Sequence, residues 1–244
     1  MVQDRKNRTT DDMKPAVAWI MALWAALAAP AQADTAPVVV ELYTSQGCSS
    51  CPPADALLAE LGERDGVIAL ALHVDYWDYI GWKDSFARPE FTQRQKAYAH
   101  AMGKRMVYTP QMVVGGTADV VGNRPDEVLA EIKRQGRQAA AVDMALARQG
   151  DMIDIRLAPN GRAAAPSEVF VVRYIPHARV DIERGENAGR SIAYTNIVTT
   201  WIHAGSWDGA APLMLSVRAP GQQPTVVLVQ SASSGPILAA ARLR

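Results

Sequence analysis

The chain has 244 residues, enough for one large or two modest domains, with 25 Lys+Arg against 25 Asp+Glu and a sequence pI near 6.9. That balance gives no electrostatic reason to bind nucleic acid or an anionic membrane surface. Two cysteines, Cys48 and Cys51, are all the sequence holds, so zinc would lack a second cysteine pair, and no metal or other cofactor is expected.

The first 33 residues read as a secretory signal peptide: Arg5, Lys6, Arg8 and Lys14 are basic, Ala16 to Ala29 is apolar, and Ala31-Gln32-Ala33 is a small-x-small cleavage site. Met13 reads as the true start. The alternative, an uncleaved anchor, needs about 20 apolar residues. Removing this segment takes four basic and three acidic residues and leaves the rest within one charge of neutral. The expectation is an exported protein, periplasmic or secreted, that does not span the membrane after cleavage. In such a compartment a dithiol is either a structural disulfide or a redox centre.

Val38 to Tyr43 is a β-branched run of the kind buried on both faces of a sheet. A polar turn, Thr44 to Gly47, leads to Cys48-Ser49-Ser50-Cys51 and then to a helical pattern with Leu57, Leu58 and Leu61 on one side. Pro52 and Pro53 suit a first helical turn and keep the helix from starting earlier. A helix N-terminus favours an anion, so a thiol there can have its pKa lowered from ~8.5 to roughly 3.5–7.5. Cys48 is expected to face solvent and attack; Cys51, a turn on, is expected to resolve. A structural disulfide is the alternative, although so short a loop removes little unfolded-chain entropy. Glu41 stands in the apolar run before the turn. It is read either as a buried acid beneath the cysteines that moves the proton of Cys51, or as a strand-end residue facing water.

Gly66 to Val74 is a second buried strand, completing a βαβ unit. His73 and Asp75 end it, with a satisfied structural histidine as the first reading. Asp75 to Trp82 is aromatic and irregular. A helix follows from about Pro89 to Met102, stopped by Gly103. Thr109-Pro110 opens the next strand, Gly115-Gly116 offers a hairpin turn, and Asn123 could cap a last helix carrying Val128, Leu129 and Ile132. Beyond Ala141, short strand-like runs separated by Pro159-Asn160-Gly161, Gly185 to Gly189 and Ala219-Pro220-Gly221 point to a β-sandwich. In the second cluster Arg184, Glu186, Asn187 and Arg190 read as turn chemistry with no catalytic role.

The Cys-x-x-Cys helix start, followed later by Thr109-Pro110, resembles thioredoxin over roughly residues 37–136. That resemblance implies Cys48 as attacking thiol, Cys51 as resolving thiol, Pro110 as a cis-proline against the disulfide, and Thr109 as a backbone partner of bound polypeptide. Gly47 stands where the family has tryptophan. The extra aromatic stretch suggests a partial lid in which Tyr76 and Trp77 join Gly47 and Thr109 as substrate-binding candidates; simple packing is the alternative for Trp77 and Trp82. The segment Glu41 to Asp55, with His73 to Asp78, also resembles an exported bacterial family catalogued by a domain-of-unknown-function number, 1223.

The expected fold class is therefore α+β: residues 1–33 signal peptide, residues 34–138 an α/β thioredoxin-like domain, and residues 139–244 an all-β sandwich-like domain. The expected function is an exported thiol–disulfide oxidoreductase acting on cysteine-containing exported proteins, a small thiol or a membrane redox partner. The alternative is a non-catalytic binding protein, either a scaffold with a structural disulfide or a Cu(I) carrier using Cys48, Cys51 and Met112.

Overall fold

A computed structural model describes residues 36–138 and 140–243. The expected signal peptide lies outside the described residues. Among these, no helix is long and apolar enough to cross a membrane.

Strand β1 (Val38–Thr44) is buried at every position, as is β2 (Val67–His73), and the two pair in parallel from Val38↔Val67 to Thr44↔His73. Side chains alternate along a strand, so each strand presents two apolar faces, and each face receives a helix. Val38, Val40 and Leu42 of β1, with Val67, Ala69 and Ala71 of β2, pack on α1 (Pro52–Gly62) through Leu57, Leu58 and Leu61. Val39, Tyr43, Ile68, Leu70 and Leu72 point the other way, onto Phe91 and Tyr98 of α2 (Pro89–Ala101). Parity in β1 thus decides which residues lie under α1 and which under α2.

Strands β3 (Gln111–Val114) and β4 (Ala118–Val121) continue the sheet antiparallel beyond β1, and α3 (Pro125–Gln135) follows. Its N-cap is Arg124, one residue later than the expected Asn123, because Pro125 takes the first helical position. β5 (Val142–Gln149) and β6 (Met152–Pro159) form a hairpin, turning at Gly150 with φ 59°. A long hairpin comes next, β7 (Ser167–Ile182) with β8 (Arg190–Trp207), paired from Ser167↔Trp207 out to Ile182↔Arg190. β9 (Leu213–Arg218), β10 (Thr225–Ser231) and β11 (Ile237–Leu243) complete the chain.

The molecule is α+β, with a mixed eight-stranded sheet in the order β11-β10-β7-β8-β2-β1-β3-β4 and a second sheet, β5-β6-β9. A separate sandwich is expected over residues 139–244; instead, four strands of that half extend the sheet that β1 and β2 begin. The seam is the parallel pairing of β8 with β2 at Ile197↔Ala71. Asn196 secures it by donating Nδ2 to Ala69 O (3.0 Å), with its own backbone at φ 51°. Asn tolerates that left-handed conformation better than most residues. The three-stranded sheet packs Ile153, Ile155 and Leu157 against Val169, Val171, Val227 and Val229, so the sheet-on-sheet layer exists but shares one of its sheets with the helical half.

The far halves of β7 and β8 project past this seam. Their connection, Glu183 to Gly189, meets the loop that carries the cysteines.

Candidate functional site

β1 ends at Thr44 and the chain turns tightly: Gly47 N donates to Ser45 Oγ (3.1 Å) and Cys48 N to Ser45 O (3.1 Å). Cys51 caps α1, with Pro52 inside the first turn, and the N–H groups of Ala54 and Asp55 donate to Cys51 O at 2.8 and 3.1 Å. Cys48 and Cys51 form a disulfide. Helix start and cysteine placement follow the sequence reading.

The expected exposure of Cys48 does not hold. Both cysteines are 0% exposed, while Ser49 and Ser50 between them are open to solvent. A loop 139 residues away lies against their turn. Asn187, itself buried, donates Nδ2 to Gln46 O and to Cys48 O, each at 2.9 Å. Arg190 Nη1 donates to Asn187 Oδ1 (2.9 Å), and Ser49 N donates to Glu186 Oε2 (3.2 Å). The turn cluster that sequence reading left without a role is thus a cover over the cysteine loop. Ile80 wedges beneath it: a Cβ on Gly47 would lie 3.0 Å from Ile80 Cδ1 and 3.2 Å from Trp77 Cβ, and one on Gly185 would lie 3.2 Å from Ile80 Cδ1. Gly47 is glycine because these side chains fill the space.

The aromatic stretch, including a short 3₁₀ turn over Asp78–Ile80, ties neighbouring loops together. Trp77 Nε1 donates to Thr109 Oγ1 (2.8 Å) and Trp82 Nε1 to Gln46 Oε1 (2.8 Å). Gly47 and Thr109 therefore both border Trp77. Tyr76 is half-buried, its hydroxyl unpartnered and its pKa raised by burial. The Thr109–Pro110 peptide is cis, as the resemblance implies. Pro110 is buried beside Ala54 of α1, both at 3.1 Å from where a Cβ on Gly122 would lie. Met112 is buried opposite Leu42 in the core under α1.

Glu41 is buried, but in the wrong place for the expected role. It shares parity with Val39 and Tyr43 and so points to α2, away from the cysteines. Arg94 donates Nε to Oε2 (2.6 Å) and Nη2 to Oε1 (2.8 Å); the hydroxyls of Tyr98 and Tyr43 donate at 2.7 and 3.1 Å. Burial would lower the Arg94 pKa, but Glu41 lifts it above its ordinary value. This is an internal ion pair that joins β1 to α2, and Gln230 extends it to β10.

The acid on the α1 face is Asp55, which sequence reading missed. It sits four residues after Cys51, on the same side of the helix, buried with both carboxyl oxygens unpartnered. Burial pushes its pKa up to about 7, and the nearby His73 opposes the rise. His73 Nε2, Thr44 Oγ1 and the Tyr194 hydroxyl are also buried without partners. His73 is held from its other side, Nδ1 lying 2.7 Å from Asp84 Oδ2, and its ring packs edge-on to Tyr194 at 4.9 Å. Burial would raise the Asp84 carboxyl, but His73 and the N–H groups of Gln46 and Phe86 hold it below the usual range. His73 is thus half satisfied: fixed by Asp84, with one nitrogen free. The spacing Cys51 to Asp55 was a legible signal for the buried acid.

These features define a class: an α+β protein with a buried disulfide at a helix start, one turn before an unpaired buried acid. The family described as protein of unknown function, DUF1223, matches residues 39–230, and the chain belongs to it. A crystal structure of a protein from Agrobacterium tumefaciens is similar over 84% of this chain and 93% of its own, with 33% identity and a TM-score of 0.72. HBP35 of Porphyromonas gingivalis is similar in fold over 86% of this chain and 75% of its own, with 13% identity and a TM-score of 0.58. No curated protein matches the chain.

Proposed function

We propose that the chain is an exported, thioredoxin-like thiol–disulfide oxidoreductase whose centre is Cys48–Cys51, with Asp55 in the acid role first considered for Glu41. The observation that carries this reading is the pairing of a disulfide at the mouth of α1 with an unpaired buried carboxyl one turn behind it. A disulfide that only braced the fold would gain nothing from a costly unpaired carboxyl one turn along the helix.

From the oxidised form, the reaction begins when a partner's thiolate attacks the Cys48 sulfur. The Cys48–Cys51 bond breaks, its electron pair stays on Cys51, and Asp55 gives that sulfur a proton. The partner's second thiol loses its proton and attacks the partner sulfur of the mixed disulfide, and Cys48 leaves as a thiolate favoured by the helix N-terminus. Two electrons have passed. Of the partner's two thiol protons, one restores Asp55 and the other goes to solvent. The reverse sequence oxidises a partner. Either direction needs the cover at Asn187 to part, since neither sulfur is reachable beneath it.

A Cys51→Ser variant leaves Cys48 without its resolving partner. Expressed in cells, it is expected to accumulate mixed disulfides with exported proteins, released by dithiothreitol. Capture of none sinks the enzymatic reading.

The full burial of both sulfurs favours a second reading, a non-catalytic scaffold in which the crosslink pins the start of α1. In that case the disulfide is reduced only when the whole protein unfolds, so its reduction rate follows the unfolding rate as urea is added.

A further inference from the structure

The cover over the disulfide has the chemistry of a bound peptide. Gln46 O and Cys48 O are two main-chain acceptors and Ser49 N is a donor, side by side on the rim of the cysteine loop. The β7–β8 loop meets all three with groups that copy a backbone: the Asn187 carboxamide supplies N–H to both carbonyls, and Glu186 supplies an oxygen to Ser49 N. Asn187 is buried and has its third position filled by Arg190 Nη1 at 2.9 Å, so its aim is fixed. The loop itself is otherwise open to solvent at Glu183 to Glu186 and at Ala188 to Arg190. Its turn is set by Gly185 at φ 78° and Gly189 at φ 81°, backbone conformations that glycine adopts without steric cost.

We infer that the Gly185–Gly189 loop is an internal stand-in for an extended polypeptide, occupying the rim Gln46–Cys48–Ser49 that a partner's main chain takes when it reaches the disulfide. The partner's N–H groups replace the Asn187 amide on Gln46 O and Cys48 O, and a partner carbonyl replaces Glu186 on Ser49 N. Displacing the loop and uncovering Cys48 are then one event, so reactivity is withheld until a peptide is in place. This rests on the oxidoreductase reading and adds the binding mode of its substrate.

The test uses the oxidised full chain and an eight-residue peptide, capped at both ends, with serine at its centre so that no covalent step intervenes. A site filled by its own loop binds an outsider more weakly by the fraction of time it is open, so Asn187→Ala is expected to bind this peptide about tenfold more tightly than wild type. Bound peptide is expected to slow hydrogen exchange at the Ser49 N–H. Dithiothreitol is expected to reduce Asn187→Ala faster than wild type, with the urea midpoint little changed. Should Asn187→Ala not fold, Glu186→Ala, which loses one surface contact, is expected to shift affinity in the same direction by less.

Faster reduction with unchanged peptide affinity overturns the inference and leaves the oxidoreductase reading intact. Tighter peptide binding supports the inference even if Cys51→Ser traps no partner, which removes the reading alone.

Discussion

Asp55 lies one helical turn beyond Cys51, buried and with neither carboxyl oxygen hydrogen-bonded. Burial disfavours the charged form of a carboxyl in such a place and raises its pKa from 3.8 to about 7. Because the folded state holds this proton more tightly than the unfolded chain, the strain is absent below pH 4 and grows as pH rises toward 7. That rise corresponds to about 4 kcal/mol at most. The oxidised protein is thus expected to lose urea resistance between pH 5 and pH 8. Asp55→Asn, neutral throughout, is expected to lose much less over that range, and equal pH dependence in both proteins would reject the assignment.

Glu41 is expected to matter for stability and not for exchange. Its carboxylate is gripped at both oxygens by Arg94, so Glu41→Gln leaves a nearly buried guanidinium uncompensated. Breaking one side of such a pair typically costs about 3–5 kcal/mol. A large fall in the urea midpoint is expected, with no change in the pH dependence of disulfide exchange. A changed pH profile without lost stability would return the acid role to Glu41.

Gly47→Ala tests the wedge under the cover. Its new methyl would meet Ile80 Cδ1 at 3.0 Å and Trp77 Cβ at 3.2 Å. The Ile80 tip can move, so the expected cost is about 1–3 kcal/mol, as for other overpacked sites. Movement of Ile80 also loosens Gly185, and dithiothreitol is expected to reach the disulfide sooner than in wild type. Stability loss with no faster reduction would mean that Ile80 does not support the cover.

Much of this was legible where the signal is local. The buried runs of β1 and β2, the proline start of α1 and the extent of α2 between Pro89 and the Gly103 stop each follow from hydrophobic period or backbone restriction. The acid went to the wrong residue because periodicity says which residues share a face, not which helix covers it. Glu41 has the parity of Tyr43, and only the fold reveals that Tyr43 faces α2. The cover was not legible at all. Asn187 reaches Cys48 through a hairpin that runs past Pro176 and is placed by one parallel pairing between β8 and β2, and nothing near Asn187 in the sequence encodes that distance. The same pairing is why the β-rich half continues the first sheet.

The most direct measurement is the equilibrium of native protein with glutathione buffers, without denaturant, reading the thiol state of Cys48 and Cys51 beside the fold. A redox centre is expected to titrate between about −270 and −120 mV, with the reduced chain still folded. A midpoint well below about −300 mV, or thiols that form only as the protein unfolds, would contradict the account and leave a buried crosslink in a scaffold.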